Sequence, residues 1–393
     1  MAVLAQNRPV SRAGNDRRNP LAGIDWWFLG ASVALIVIGL IALFSEGATR
    51  DGGTNFRKQL VNVALGLGPF AMMLLISPST WRRVWKAVYG VNLLALMAVL
   101  VAGASKKGAE RWIPIGPIQF QPSELSKLLI VLTLSAFLAG RYEEIKRPGT
   151  FLLAGVHVLV PVTLIMLQPH LGASMVMMAA WVAILVVAGV PLKYLGITAG
   201  VFTLLVGLVA IPATRRLVLR PYQEARVVGM MSTMGLGGKE EQGRQRRDKN
   251  YQTDQAAIAF GVGGVTGTGY LNGERKKAHF IPEQHNDFAI TIIGEEFGLL
   301  GCTILLALFG LFFYRCWLAI YHADNPYHRM IAAGVLAVIA FHMLVNMAMV
   351  LQMAPVVGLW LPFISYGGTA MWLCMGCVGL ILNLRGRERP VLF

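Results

Sequence analysis

The sequence predicts an all-α protein that spans a membrane about ten times. Of its 393 residues, 55% are hydrophobic and only 14% are charged, whereas a soluble domain is about 25% charged. Mean hydropathy is +0.58, and several apolar runs reach the roughly 20 residues that a helix needs to cross a bilayer. The composition therefore excludes a soluble enzyme with a single anchor.

Each of ten apolar segments is predicted to form one membrane helix. The segments are 26–44, 59–78, 86–104, 123–140, 151–168, 172–190, 193–212, 288–314, 330–352 and 368–384. They make a single transmembrane domain, 26–384, between an N-terminal tail, 1–25, and a C-terminal tail, 385–393. A large loop, 213–287, separates the seventh and eighth helices. No small-residue cleavage site follows the first apolar run, so the first helix is expected to stay uncleaved.

Lysine and arginine in the connecting segments predict the side of the membrane that each segment faces. With the N-terminus inside, the cytoplasmic segments carry sixteen of these residues and the short outer loops carry six. The loop 213–287 is exempt, because long loops cross the membrane largely regardless of charge. Both termini are therefore expected in the cytoplasm, and the loop is expected to be extracytoplasmic.

The net charge of +15 does not indicate nucleic-acid binding, because the basic residues lie in scattered loops between spans. The cysteines at 302, 316, 374 and 377 fall in or at the ends of apolar segments, so no disulfide framework is implied. Cys374 and Cys377 have a C-x-x-C spacing inside a predicted membrane helix. Helix packing by small residues explains that spacing better than a metal or redox site.

The loop 213–287 has three parts of different character. Residues 215–231 are amphipathic and are predicted to lie along the lipid interface. Residues 235–250 are predicted to be mobile and solvated. The Gly-rich stretch 255–270 suggests a nucleotide loop, but it lacks Gly-Lys-Ser/Thr and a surrounding βαβ unit. A re-entrant or closely packed segment is predicted there instead.

Asp287 lies where water gives way to hydrocarbon, at the start of the predicted helix 288–314. Free backbone N–H groups at a helix start stabilise a carboxylate. A helix start needs only one cap residue, however. The run of charged and titratable groups from Glu283 through His285 to Asp287 therefore indicates more than capping.

Two carboxylates, Glu295 and Glu296, follow about two turns inside the same predicted helix. Carboxylates within a membrane helix usually mark a functional site. Interhelical hydrogen bonding to Asn346 or His342 is the structural alternative.

Lys127 is a charged residue inside a predicted membrane helix, close to the outer loop that precedes it. Pro122 and Glu124 fit the first turn of the predicted helix 123–140, and Lys127 lies one turn further in. An ammonium that faced lipid there would be costly. Either it snorkels to the interface, or it faces a polar cavity and a partner carboxylate.

Four outer connections bring polar or irregular backbone to one face of the predicted bundle. They are the loop before Lys127, the turn Gln168-Pro-His170, the Asp287 segment and the last outer loop, 355–368. Non-helical backbone at that depth must be buried in protein or line a water-filled cavity. The sequence therefore predicts a site at the outer face.

These motifs resemble the SEDS family (shape, elongation, division and sporulation), which contains RodA and FtsW. The matching motifs, in the family's order along most of the chain, are Arg111-Trp112 with Gln121-Pro-Ser-Glu-Leu-Ser-Lys127, Gln168-Pro-x-Leu-Gly, Pro282-Glu-x-His-x-Asp-Phe288, Gly294-Glu-Glu-Phe-Gly-Leu, and Leu361-Pro-Phe-Ile-Ser-Tyr-Gly-Gly368. Tyr270-Leu-Asn-Gly and Pro355-Val-Val-Gly resemble RodA more than FtsW.

The resemblance implies a peptidoglycan glycosyltransferase of the bacterial inner membrane that polymerises lipid II during cell elongation. Asp287 is the expected general base. The residues expected to bind substrate or support the base are Lys127, Glu124, Arg111, Trp112, Gln121, Arg57, Glu283, His285 and Ser365. A divalent cation, Mg²⁺ or Mn²⁺, is an expected cofactor, with Asp287 as its one candidate ligand, because no ligand cluster is evident. The expected partners are a class B penicillin-binding protein and other membrane proteins of the elongation complex.

Two other functions are compatible with the resemblance. A lipid II flippase would need polar groups lining a path through both leaflets, whereas the motifs cluster at the outer face. A noncatalytic scaffold for a penicillin-binding protein would leave the Asp287 carboxylate unexplained.

The chain departs from the family pattern at His170, where Asp is usual in Gln-Pro-Asp-Leu-Gly, and at Asn286, where Thr is usual. If that Asp orders the turn, His170 can replace it by hydrogen bonding, since an imidazole with a pKa of about 6.5 is mostly neutral at pH 7. If the Asp binds a cation, this chain should bind the cation more weakly. The retained Gln168, Pro169 and Gly172 favour the ordering role.

Overall fold

The computed structural model describes residues 23–50, 52–102, 104–106, 109–115, 118–168, 170–210, 245–277, 280–281, 284–354 and 356–387. Three predictions concern residues outside these ranges. They are the nature of the loop over 215–231 and 235–244, most of both tails, and Glu283.

Helices make up most of the described chain. They are α1 (Trp26–Arg50), α2 (Thr54–Leu75), α3 (Pro78–Ala102), α4 (Pro122–Ala139), α5 (Pro148–Leu167), α6 (Leu171–Ala188), α7 (Leu192–Ala210), α8 (Gln245–Gly263), α9 (Glu274–Lys277), α10 (Ile290–His322), α11 (Pro326–Val350) and α12 (Gly368–Arg387). Within the described ranges, nine helices are long and apolar enough to cross a membrane. Helix α7, of 19 residues, is not among these nine, but it lies where the seventh of the ten predicted spans is expected.

Local sequence explains where several spans begin and end. Helix α4 starts with Pro122 at its first position and Glu124 in its first turn, where proline loses no hydrogen bond and a carboxylate meets the positive helix end. Helix α11 starts after Asn325, whose side chain accepts a hydrogen bond from the backbone N–H of Tyr327. Helix α6 ends at Gly189 with φ of 86°, the left-handed conformation that glycine adopts without strain.

A small antiparallel sheet, which the sequence does not predict, adds to the predicted helical bundle. Strands β1 (Ala104–Lys106), β2 (Ala109–Ile115) and β3 (Ile118–Phe120) occupy the connection between α3 and α4, in the order β1-β2-β3. Ala104 pairs with Trp112, and Ile113 pairs with Phe120. The sheet ends at the residue before Gln121, so it sets the direction in which α4 enters the membrane.

The Gly-rich part of the large loop packs into a break in α10. At Gly298 the backbone is non-helical, with φ of 62° and ψ of −156°. Leu299 N donates to Gly264 O at 2.9 Å, and Thr268 N donates to Glu295 O at 3.0 Å. These bonds satisfy backbone groups that the break exposes. The prediction of a closely packed segment is confirmed.

Helix α8 begins inside the stretch 235–250, which is predicted to be mobile and solvated. Residues 245–250 form the first turns of this helix. The helix continues to Gly263, where an added Cβ would overlap the carbonyl of Gly294 in α10. Packing of its C-terminal half against α10 therefore overrides the polar composition of its first half.

Helices α4 and α12 lie at the centre of the bundle, and α3 lies at its edge. Most residues of α4 and α12 are buried, whereas Val91, Leu94 and Val101 of α3 are 62%, 62% and 90% exposed. Exposed apolar side chains on a membrane helix are suited to contact lipid. The buried Glu124 and Lys127 of α4 therefore lie at the centre of the bundle.

Candidate active site

Asp287 lies in a turn, 284–289, immediately before α10. Its backbone carbonyl accepts a 2.7 Å hydrogen bond from Asn346 Nδ2, which also donates to Leu359 O at 2.7 Å. A Cβ added at Gly358, which has φ of 73°, would lie 3.8 Å from Asp287 Oδ2. Asp287 is partly exposed, and its main chain is held in place by the Asn346 amide.

The turn that carries Asp287 is held on both sides by side-chain and backbone bonds. His285 Nδ1 lies 3.2 Å from Glu46 Oε1 of α1. Tyr366 N donates to His285 O at 2.8 Å, and Gln284 Nε2 donates to Thr291 Oγ1 at 2.9 Å. The predicted supporting residue His285 therefore connects this turn to α1 and to the last outer loop.

A buried ion pair anchors the loop further upstream. The Lys276 ammonium bonds to the Glu296 carboxylate and to Ser45 Oγ of α1, and Ser45 Oγ donates to Glu296 at 2.6 Å. Lys276 N donates to Glu295 Oε2 at 3.3 Å. Burial raises the pKa of the nearby Tyr270 hydroxyl, and the Glu296 carboxylate raises it further. The two membrane carboxylates thus hold the loop that leads to Asp287.

Lys127 and Glu124 form a second buried ion pair, on α4. Lys127 Nζ lies 2.8 Å from both oxygens of Glu124 and 3.0 Å from His342 Nε2. An ammonium has only donors, so Nε2 is the acceptor. Trp360 Nε1 donates to Glu124 Oε2 at 3.0 Å, and its ring stacks on His342 with centroids 3.9 Å apart. Lys127 is only 1% exposed, so it pairs with a carboxylate and does not snorkel.

The alternative partners predicted for Glu295 and Glu296 are wrong. His342 and Asn346 lie one turn apart on α11 and bond to the Lys127 ammonium and the Asp287 backbone instead. Sequence analysis did not include His342, Asn346 or Trp360 among the site residues. A histidine and an asparagine four residues apart within an apolar span were the signal that could have indicated them.

Gln121 is the residue before α4, and His170 is the residue before α6. Gln121 N donates to Thr369 Oγ1 at 3.0 Å. His170 Nδ1 lies 3.3 Å from Gln121 Nε2 and 3.2 Å from Ser123 Oγ. His170 is 7% exposed. Its contacts with Gln121 and Ser123 join the start of α6 to the start of α4.

Arg111 and Trp112 belong to β2. Arg111 Nε donates to the backbone carbonyl of Gln168 at 3.1 Å, and Gln168 Nε2 donates to Leu96 O at 2.9 Å. Trp112 is partly buried and pairs with Ala104 in the sheet. The sheet is therefore tied to the turn before His170.

Among the described contacts, the side chains of Arg57 and Ser365 are joined neither to the Glu124–Lys127 pair nor to Asp287. Arg57 is exposed near the start of α2. Ser365 Oγ accepts from Leu361 N at 2.8 Å, and Ser365 O accepts from Gln59 Nε2 at 3.4 Å, so it shapes the last outer loop. Glu283 lies outside the described residues.

Within the part of the chain that the structure describes, no group of three or more His, Cys, Asp or Glu residues is placed to hold a metal ion. Mg²⁺ is commonly bound by one or two carboxylates together with substrate phosphates and water. Asp287 with a diphosphate is compatible with that mode of binding. A closed site made of protein ligands alone is not supported by these residues.

Comparison with known proteins identifies the family of this chain. A family model for FtsW, RodA and SpoVE, described as a cell cycle protein, matches residues 24–389. The chain belongs to the FtsW/RodA/SpoVE family. This is the SEDS family that the sequence motifs indicate.

Two relatives of this family match over nearly their whole length. The chain is 31% identical over 373 residues to a protein of Geobacter sulfurreducens named probable peptidoglycan glycosyltransferase FtsW, covering 92% of this chain and 95% of the relative. It is 31% identical over 366 residues to the peptidoglycan glycosyltransferase MrdB of Escherichia coli K12, covering 91% and 92%.

Two solved structures share the fold. A chain from a peptidoglycan synthase complex, studied for its coordination of polymerization and crosslinking, superposes with a TM-score of 0.76 at 28% identity and covers 93% of this chain and 99% of that chain. The rod shape determining protein RodA of Thermus thermophilus has a TM-score of 0.67 at 27% identity and covers 92% and 96%.

Proposed function

We infer that this chain is a peptidoglycan glycosyltransferase that polymerises lipid II into glycan strands. Family membership over nearly the whole chain carries the inference, together with relatives named for that activity. Asp287, which is partly exposed and whose backbone is held by Asn346, supplies a carboxylate of the required chemistry.

The reaction forms one bond to the anomeric carbon and breaks another. The sugar C4 hydroxyl of one substrate attacks the anomeric carbon of the growing strand, with inversion, and lipid diphosphate leaves with the electron pair of its C–O bond. Asp287 accepts the hydroxyl proton as general base. Because diphosphate leaves as an anion, no carboxylic acid need protonate it, unlike in many glycosidases.

The departing diphosphate is an anion and needs a positively charged side chain beside it, for which this chain has three candidates. Lys127 is committed to Glu124 and His342, so we assign it to orienting the site and not to direct contact with diphosphate. Arg111 and the exposed Arg57 remain the candidates to hold the diphosphate, because guanidinium matches phosphate oxygens with two parallel hydrogen bonds.

A divalent cation is a further candidate for charge neutralisation. Asp287 together with the diphosphate would hold it, and it would supply Lewis-acid stabilisation of the departing anion. The residues of this chain would still orient the hydroxyl and accept its proton.

Purified protein with labelled lipid II tests the proposal. We expect polymer that forms in the presence of penicillin, and we expect none from Asp287→Asn, which keeps the shape of the side chain but loses the base. Folding of the variant is checked by size exclusion and thermal unfolding. Near-normal polymerisation by Asp287→Asn would rule out the role of the base, whereas lipid II transport without polymer would favour a flippase.

We further propose that the enzyme works with a class B penicillin-binding protein in the elongation complex of the inner membrane. The similarity to a chain of a peptidoglycan synthase complex supports a partner, and the RodA-like motif Tyr270-Leu-Asn-Gly supports elongation. Copurification with the cognate transpeptidase and a higher turnover in its presence are expected. Full activity alone, with no complex on size exclusion, would count against the partner.

A further inference from the structure

Asn346 makes an unusual pair of contacts in the middle of the site. It is completely buried on α11, and its Nδ2 donates to Asp287 O and to Leu359 O, each at 2.7 Å. The two acceptors belong to different connections, one before α10 and one before α12. A single amide group therefore fastens two non-helical segments to the same helix.

The second of these segments leads directly to the buried ion pair. Leu359 precedes Trp360, whose indole donates to Glu124 at 3.0 Å. His342, one turn from Asn346 on α11, accepts from Lys127 at 3.0 Å and stacks on Trp360. One face of α11 thus contacts both the Asp287 turn and the network around Lys127.

We propose that Asn346 is a positioning residue that fixes the Asp287 main chain relative to the Glu124–Lys127 pair. The proposal rests on the glycosyl-transfer function inferred above, and it adds a residue that does not touch substrate. Asn346 would matter because proton transfer depends steeply on the position of the base. A misplacement of about 1 Å can lower a rate roughly 100-fold.

An amide is required because both acceptors are carbonyl oxygens. The NH₂ group of Asn supplies two donors from one atom, whereas Ser and Thr supply one and ionised Asp supplies none. Backbone carbonyls buried without a donor are destabilised, so the two segments would move away from α11 once the amide is lost.

The chain contains a matched control for this contact. Asn383 on α12 is also completely buried, and its Nδ2 donates to Met73 O and Ile76 O, each at 2.7 Å. Its Oδ1 also accepts from Arg387 Nε at 2.6 Å. It secures the C-terminal end of α2, whereas Asp287 lies close to the N-terminal end of α10. Asn383→Ala therefore removes at least as many hydrogen bonds as Asn346→Ala, but away from the base.

The experiment compares polymerisation kinetics and thermal unfolding of the two variants in the full-length protein. We expect Asn346→Ala to lower kcat roughly 10- to 100-fold, with KM for lipid II changed by less than about twofold. We expect Asn383→Ala to lower the unfolding midpoint by a similar or larger amount and to retain most of kcat. Equal kcat losses at equal destabilisation, or an unchanged kcat in Asn346→Ala, would overturn the proposal.

A second variant and a second measurement do not depend on the activity. Asn346→Leu keeps the approximate size and branching of the side chain and has no hydrogen-bond donor. Hydrogen exchange should rise in peptides covering 284–289 and 356–361 for Asn346→Leu, and around 72–77 for Asn383→Ala. Unchanged exchange at 284–289 would overturn the positioning role even if the variant is inactive. If the wild type makes no polymer, the proposed function fails, while the exchange result still decides whether Asn346 holds Asp287.

Discussion

At the scale of single residues, Lys127 has a charge that loses its hydration on folding and needs partners inside the protein. Its ammonium and the Glu124 carboxylate are removed from water together, and Trp360 and His342 supply the remaining bonds. Removing one member of a buried pair costs about 3–5 kcal/mol, because it leaves an unpaired charge, whereas replacing both members is often nearly neutral.

This pair gives a prediction that separates stability from activity. Lys127→Met or Glu124→Gln alone should lower the free energy of unfolding by about 3 kcal/mol or more, and with it the unfolding midpoint. The double variant should recover much of the stability and still polymerise poorly, because the site has lost its ammonium. Thermal unfolding and polymer yield on the same preparations measure both effects. Recovery of both would mean that the pair is only structural.

The sequence could predict part of this network, for a physical reason. Glu124 and Lys127 are three residues apart on one helix, so their proximity follows from helical geometry. His342 and Trp360 reach them from more than 200 residues away, and no local pattern encodes such a contact. Asp287 was identifiable because it stands at a helix start beside other titratable groups, but its fixation by Asn346 was not.

His170 supplies the second prediction at this scale. Its Nδ1 lies within 3.3 Å of both Gln121 and Ser123, so it bridges the starts of α4 and α6, as an ordering role requires. We expect His170→Asp to leave the divalent-ion dependence of polymerisation nearly unchanged. A titration with Mg²⁺ or Mn²⁺ on both proteins measures this. A large gain in ion affinity for His170→Asp would contradict the ordering role.

At the scale of elements, the break in α10 depends on glycine. Gly298 has a backbone conformation that is sterically open almost only to glycine, and a Cβ there would lie 2.5 Å from Gly267 N. Glu295 and Glu296 immediately precede the break and accept backbone bonds from Thr268 and Gly269. The break therefore links the helix to the segment that leads toward Asp287.

Gly298→Ala should consequently destabilise the protein by more than about 1–3 kcal/mol, since steric overlap adds to backbone strain. Gly310 on the same helix is the matched control, because nothing lies within 4 Å of a Cβ added there. Gly310→Ala should be neutral or slightly stabilising, since alanine is the better helix former. Thermal unfolding of both variants provides the comparison. Similar midpoints for the two would contradict the explanation of the break.

Predictability from sequence differs among the elements. The spans were located because some 18 to 25 apolar residues in succession have few other possible structures. The sheet was missed because its strands are short, with Pro114 inside the longest, and they pair only with one another. The first turns of α8 were missed because their polar composition resembles a solvated loop, and their helical state depends on packing against α10.

At the scale of the whole molecule, polar clusters occupy the two ends of the bundle. Asp25 at the start of α1 is 5% exposed and binds Arg315 of α10 at 2.7 Å and Arg385 of α12 at 2.9 Å. This cluster joins three helices at the end opposite to Asp287. The candidate site thus lies at one end of the helix bundle, opposite to the Asp25 cluster.

The orientation of this polarity gives the last prediction. The positive-inside rule places the Asp25 end in the cytoplasm and Asp287 outside. Two exposed residues test it: Tyr270, 41% exposed, and Arg147, whose side chain is 71% exposed at the start of α5. A membrane-impermeant maleimide should label Tyr270→Cys in intact spheroplasts and Arg147→Cys only after lysis. Wild type is the background control, because Cys316, Cys374 and Cys377 are buried and Cys302 is partly buried. Labelling of Arg147→Cys before lysis would reverse the orientation and place Asp287 on the cytoplasmic side.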